Sequence, residues 1–245
     1  MSLRKTVNKL LQGSSYQIKK INPALNDPDK KQIKINIEYF LARAVLDNKD
    51  FFFVQIGAND GRRADDSYDF IIRHHLKGIV VEPLKDMFER LSENYASEPQ
   101  IIKINKAIHQ TAKSMPLYRI KNDANVPDWC HGIASFDKSH LMDGARKVPD
   151  IEKYIIEESV ECISLDELFS QTGVEQVSFL QIDTEGYDYE IIKMIDFNKL
   201  KPEIIRYECS VFSKQDNQSC IDLLAQQGYR FFDEGNDIIA LLNQA

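Results

Sequence analysis

Apolar residues along the chain fall into two kinds of pattern. From residue 51 onward, short continuous apolar runs alternate with stretches whose apolar residues recur every three or four positions. FFFVQIG (51–57) is rich in aromatic and β-branched residues and closes on glycine, which predicts a strand buried on both faces. Helical spacing follows over residues 66–75, and GIVVE (78–82) reads as a second buried strand. Leu84, Met87, Phe88, Leu91 and Tyr95 mark the next helix, and IIKIN (101–105) a third strand. MPLYRI (115–120) alternates and reads as a strand near a sheet edge, and VECISL (160–165) as a short strand. Ser164 and Glu167 form a capping box for the helix DELFSQ. VSFLQID (177–183) and EIIRYEC (203–209) are further buried strands, each followed by a helix, over 187–194 and 213–227. The last of these helices stops at Gly228. YRFFD (229–233) and DIIALL (237–242) are joined by Glu234-Gly235-Asn236, so short a connection that the two strands form an antiparallel hairpin.

The order is β-α-β-α-β, an irregular insert, then β-α-β-α-β-β, which predicts a mostly parallel sheet covered by helices on both faces. Residues 121–150 carry no regular pattern, and irregular stretches of that length inside a domain are often functional. Residues 1–50 lack a strand pattern. Val7, Leu10 and Leu11, then Ile33, Ile37, Phe40, Leu41, Ala44 and Val45, predict two amphipathic helices separated by a turn-rich stretch, Asn22-Pro23 to Asp27-Pro28. The division expected is an N-terminal helical extension over 1–50 and an α/β domain over 51–245.

Composition narrows the class. The chain of 245 residues is long enough to bury a core without staples, and 43% hydrophobic with 28% charged residues is ordinary for a globular protein. A net charge of −7 argues against general nucleic-acid binding, which needs a basic footprint. No apolar run reaches the ~18 residues of a membrane span, and MSLRKTVNKLLQGSS is too polar for a signal peptide. Cys130, Cys162, Cys209 and Cys220 are scattered with no C-x-x-C pair, which argues against a disulfide framework or a Cys-rich zinc site and favours a reducing cytoplasm.

Ligands of open α/β sheets bind beyond the carboxyl ends of the strands. The first strand is followed there by Gly57-Ala58-Asn59-Asp60-Gly61, a tight turn that lets a ligand approach the backbone. The second is followed by Glu82-Pro83, where an acidic side chain can accept both hydroxyls of a ribose. Asn105-Lys106-Ala107-Ile108-His109, Asp183-Thr184-Glu185-Gly186 and Glu208-Cys209-Ser210 follow the later strands. Each segment alone is also compatible with a plain strand–helix corner or a solvated strand end. Together they put acidic or amide residues at one edge of one sheet. The dinucleotide pattern G-x-G-x-x-G fails, because Asn59 and Arg62 stand where its later glycines belong. A ligand with a ribose but no pyrophosphate fits better.

VQIGANDG (54–61), VVEP (80–83), NKAIH (105–109), SVECISLDEL (159–168) and FLQIDTEGYDYEII (179–192) resemble the FkbM family of S-adenosylmethionine-dependent methyltransferases, over about residues 51–242. The resemblance implies the class I methyltransferase (Rossmann-like) fold, a seven-stranded sheet of order 3-2-1-4-5-7-6 with strand 7 antiparallel, preceded here by the extra N-terminal helices. It also implies S-adenosylmethionine as cofactor. Gln55, Gly57, Ala58, Asn59, Asp60 and Gly61 would surround its methionine part. Glu82, with Pro83, would bind the ribose, Ala107 and Ile108 would flank the adenine, and Asp183 and Glu185 would lie near the methyl end, at the mouth of the acceptor site. Gln55 departs from the family, which more often has Asp there.

Methyl transfer from a sulfonium is an in-line displacement that needs alignment. A hydroxyl acceptor also needs a general base. The candidates are Asp183, Glu185, Glu208 and His131, with His140 in the same irregular segment. A divalent cation on Asp183, Glu185 and Glu208 would also acidify the hydroxyl, but it is not the favoured reading. No metal residue is assigned. The acceptor class that the resemblance implies is a small molecule, sugar or glycan, methylated on oxygen. The partners expected are therefore a small-molecule or carbohydrate acceptor, with no nucleic acid and no membrane span. The residues specify no oligomeric state. A nucleotide-dependent oxidoreductase and a non-catalytic binding domain on the same fold are the alternatives.

Overall fold

The computed structural model describes residues 37–144 and 148–243. The helix expected around Val7, Leu10 and Leu11 lies outside them. The described chain begins with α1 (Ile37–Asp47), whose Ile37, Leu41 and Ala44 are buried in one apolar cluster with Phe51, Phe53 and Phe179.

A seven-stranded sheet forms the centre. Its strands are β1 (Phe52–Ile56), β2 (Lys77–Val81), β3 (Ile101–Ile104), β8 (Phe179–Ile182), β9 (Ile204–Glu208), β10 (Tyr229–Asp233) and β11 (Asp237–Leu242), in the order β10-β11-β9-β8-β1-β2-β3. β1, β2, β3, β8 and β9 pair in parallel, whereas β11 is antiparallel to both β9 and β10. This is the strand order 3-2-1-4-5-7-6 with an antiparallel strand 7. The apolar runs that predict β1, β8 and β9 are buried on both faces because helices cover both sides of the sheet. Those helices are α2 (Tyr68–Arg73), α3 (Lys85–Asn94), α5 (Leu165–Thr172), α6 (Asp188–Met194) and α7 (Lys214–Gln226). The expected capping box is present on α5: Ser164 accepts from the Glu167 N–H, and Glu167 accepts from the Ser164 N–H.

The insert differs from its expectation. β5 (Ser114–Ile120) is not near an edge of the main sheet. It belongs to a second, four-stranded sheet of order β4-β7-β5-β6, with β4 (Ala107–Ile108), β6 (Ala134–Ser135) and β7 (Ile155–Ile163). β7 is nine residues long rather than a short strand from 160, and its partner β5 runs antiparallel along it from Ser114↔Glu161 to Ile120↔Ile155. Charged residues hide β7 in the sequence: Glu157, Glu158 and Glu161 lie on it, and only Val160, Cys162 and Ile163 are buried. Between β5 and β7 the chain forms short 3₁₀ turns, β6 and α4 (Lys138–Gly144), folded over a small cluster of Ile120, Cys130, Leu141 and Ile151.

One ion pair ties the second sheet to the first layer. Arg119, 2% exposed on β5, makes a bidentate bond to Asp86 on α3 at 2.6 and 3.0 Å and a third to Asn122 at 2.7 Å. The two charge-assisted bonds hold Asp86 down at a pKa of about 2. All four cysteines are free thiols. No helix among the described residues is long and apolar enough to cross a membrane.

Candidate active site

A cleft of about 360 Å³ opens at the carboxyl ends of β1, β2 and β8, within the range of small-molecule sites. Its walls come from the turn after β1, the corner after β2, β4, the turn after β8, and the insert around Trp129 and Phe136.

The turn after β1 is shaped by close contact. Gly57 has φ +78°, and a β-carbon there would lie 1.8 Å from the Asp183 carbonyl oxygen. The N–H groups of Gly57 and Ala58 both donate to the Val81 carbonyl at 3.0 Å. Asn59 is left-handed at φ +50°. Its N–H donates to Glu82 Oε2 at 2.8 Å, and the Leu84 N–H donates to Glu82 Oε1 at 2.8 Å. Glu82 is 5% exposed, and burial pushes its carboxyl up to about 7 against these two hydrogen bonds and the Arg119 charge. Each carboxylate oxygen keeps a free lone pair beside the cleft.

Gln55 and Gln181 sit opposite each other in register on β1 and β8. Both donate through Nε2 to Asp65, at 3.0 and 3.5 Å, and all three residues line the cleft. Asp65 Oδ1 also accepts from the Ser67 N–H and hydroxyl.

The turn after β8 gathers carboxylates. Asp183, Glu185 and Glu208 offer oxygens that all lie within 4.8 Å of one another. Beneath them Asp188, 0% exposed, accepts from the Thr184 N–H and hydroxyl and from the Glu208 N–H, which fixes the turn to the end of β9. Asp183 is exposed on the cleft wall; partial desolvation inside the cleft, then the neighbouring charges of Asp188, Glu185 and Glu208, raise its carboxyl. Burial, then Glu208 and Asp188, push Glu185 up to about 8. Burial also raises Glu208, whose other neighbour is the Ser210 hydroxyl. Glu185 is held at φ +52°, and its carbonyl accepts from Ser135 on β6 at 2.7 Å, so the second sheet supports this turn. Such a cluster can share protons, act as a base, or hold a cation.

The residues expected from the sequence divide. Gln55, Gly57, Ala58, Asn59, Glu82, Pro83, Ala107, Ile108, Asp183 and Glu185 line the cleft. Asp60 does not: its carboxylate turns into its own loop and accepts from the Arg62 and Arg63 N–H groups. Gly61 faces the Tyr95 ring instead. Glu208 joins the acidic cluster from behind the cleft wall. His131 lies in the 3₁₀ turn Asp128–Gly132 and is not part of the wall. His140 is the histidine at the cluster, its ring 2.6 Å from where a Gly186 β-carbon would be. Residues that the sequence reading missed include Asp65, Gln181, Asp188 and the Arg63–Asp128 pair, which pins the insert to the glycine turn. Gln181 carried one legible signal, a polar residue inside an otherwise apolar buried strand.

A family model for the methyltransferase FkbM domain matches residues 55–231. The chain belongs to the FkbM methyltransferase family. No curated protein matches the sequence. Similar solved structures include three methyltransferases. The METTL16 methyltransferase domain has TM-score 0.45 at 12% identity, over 86% of this chain and 67% of that one. A putative caffeoyl-CoA O-methyltransferase from Staphylococcus aureus has TM-score 0.44 at 13% identity, over 98% and 99%. Precorrin-6y C5,15-methyltransferase from Geobacter metallireducens has TM-score 0.40 at 11% identity, over 82% and 87%.

Membership of this family implies S-adenosylmethionine as methyl donor, and the cleft suits such a ligand. Gly57 leaves room for a close approach to the backbone. Glu82 offers acceptors to a diol, and the buried Oε1 atoms of Gln55 and Gln181 have no partner of their own.

Proposed function

We propose that this FkbM methyltransferase methylates a hydroxyl of a small molecule, sugar or glycan. The observation that carries this reading is Glu185, a cleft-lining carboxyl whose pKa of about 8 suits a general base near neutral pH. When bound, S-adenosylmethionine supplies an electrophilic methyl group on a sulfonium.

Glu82 would accept hydrogen bonds from the ribose hydroxyls, its carboxylate held in place by the Asn59 and Leu84 amides. Pro83, Ala107 and Ile108 would give the adenine an apolar seat, next to the Tyr187 ring that stacks on His109. Asp183 and Glu185 line the cleft where the methyl end would lie, and Glu185 would take the hydroxyl proton. Glu208 keeps Glu185 basic through like-charge repulsion. The acceptor enters past Trp129, 48% exposed at the mouth, whose ring face suits a sugar or an aromatic compound. Proton sharing among the carboxylates serves this chemistry without a metal. Residues 1–50 serve as an N-terminal extension whose α1 joins the apolar core of the domain.

A thermal-shift comparison tests the donor. S-adenosylmethionine and S-adenosylhomocysteine at ~100 times Kd should raise Tm by several degrees. A response to NADH alone would overturn the reading. Transfer of a labelled methyl group to a panel of hydroxyl, amine and carboxylate acceptors tests the rest, and label found only on nitrogen would remove the O-methyl assignment.

A further inference from the structure

The cleft has one subsite built almost entirely from acceptors. Gln55 and Gln181 are 3% and 4% exposed, and each directs Nε2 to Asp65. Asp65 is a carboxylate that only accepts, so it sets the orientation of both amides. A flipped amide would point its oxygen at the carboxylate. Both Oε1 atoms are therefore fixed, and both are buried without a partner. A buried unpartnered carbonyl is costly, and two of them side by side point to a donor that comes with a ligand.

The charge of the subsite is equally one-sided. Among the described residues no lysine or arginine pairs with Asp65, and Arg206 instead pairs with the adjacent Asp66, with Glu234 and with Asp237. Asp65 is held only by neutral donors: the two amides and the N–H and hydroxyl of Ser67. A neutral amide ligand would satisfy the oxygens but leave the carboxylate without a counter-charge. A primary ammonium does both, with three N–H donors for a carboxylate and two carbonyl oxygens.

We propose that Asp65, oriented by the Gln55–Gln181 pair, recognises the α-ammonium of the methyl donor's amino-acid tail. This rests on the methyltransferase reading. It goes further in moving the negative charge away from the neutral Gln55 of β1 onto a loop residue. Asp65 is then a binding residue, and Gln55 and Gln181 are positioning residues.

Calorimetry with three ligands tests it: S-adenosylhomocysteine, its desamino analogue, and 5′-methylthioadenosine, which has no amino-acid tail. The wild-type protein should prefer S-adenosylhomocysteine to the desamino analogue by about 10–100-fold, the range of charge-assisted hydrogen bonds. In Asp65→Asn that preference should shrink to a few-fold, while 5′-methylthioadenosine binds both proteins equally. A wild-type preference below threefold overturns the proposal without recourse to any variant. So does a full preference in Asp65→Asn. In either case, tight binding of S-adenosylhomocysteine leaves the methyltransferase reading standing. If the wild-type protein binds neither S-adenosylhomocysteine nor 5′-methylthioadenosine, both readings fall together.

Discussion

Gly57 packs its α-carbon against the carbonyl of Asp183, so closely that a β-carbon at Gly57 would sit 1.8 Å from that oxygen. The contact joins the turn after β1 to the end of β8, and the Asp183 N–H donates to the Ile56 carbonyl beside it at 3.0 Å. Two ends of the cleft are thus one packed unit. Gly57→Ala must both strain a backbone at φ +78° and push β8 away. The expected cost is about 2–4 kcal/mol, or roughly 5–10 °C in Tm for a chain of this size. Binding of S-adenosylhomocysteine should weaken in parallel. A Gly57→Ala protein that melts like wild type would show that the turn is not locked to β8.

Glu82 gives a pH signature. Its folded carboxyl titrates at about 7, raised chiefly by burial. A ligand diol donates to the ionised form, so binding below that pKa must first remove a proton. Affinity for S-adenosylhomocysteine should rise by up to tenfold per pH unit up to about 7 and level off above it. Glu82→Gln should bind about 10–100-fold more weakly at pH 8 and lose this dependence. Calorimetry from pH 5.5 to 8.5 checks both. An identical slope in the variant would assign the titration to another group.

The parallel sheet was legible because each of its strands is a short apolar run bounded by turns, and the Glu234-Gly235-Asn236 connection left no room for anything but a hairpin. The second sheet was not. β7 alternates on one face only, and Glu157, Glu158 and Glu161 break up its apolar signal. The site was legible as far as strand ends go, since Gly57, Glu82 and Asp183 each follow a buried run. Asp65 was hidden because its role comes from Gln55 and Gln181, which meet it only through β1–β8 register and a loop. His131 and His140 look alike in sequence. Only the fold sets one in a 3₁₀ turn and the other against Gly186.

Arg119 links the second sheet to α3 through Asp86, and that link can be tested by itself. Arg119→Met keeps the buried stem and removes the charge. Loss of one partner from a fully buried pair costs about 3–5 kcal/mol. Asp86 is 32% exposed and screened by water, so about 2–3 kcal/mol is expected here. The Asp86 pKa is depressed from 3.8 to about 2, so the pair stabilises fully above pH 4, and its contribution fades as pH falls toward 2. The Tm gap between wild type and Arg119→Met should follow that curve. A gap that stays constant down to pH 2 would mean that the loss is one of packing.

Asp183, Glu185 and Glu208 cannot all be ionised within 4.8 Å of one another without a compensating charge. If protons supply it, the rate should rise with pH as Glu185 ionises near 8. Glu208→Gln removes the like charge that weighs most on Glu185, so its rate profile should move to lower pH. A residue with only a structural role would not move it. Asp183→Asn should lower turnover by about 10²–10⁴-fold with little change in Tm. Chelation should leave the wild-type rate unchanged. A divalent cation would instead strip the cluster of protons, flatten the profile, and make the rate depend on added Mg²⁺ or Mn²⁺ after chelation. Restoration of activity by those ions would replace the proton-sharing base with a metal centre on the same three carboxylates.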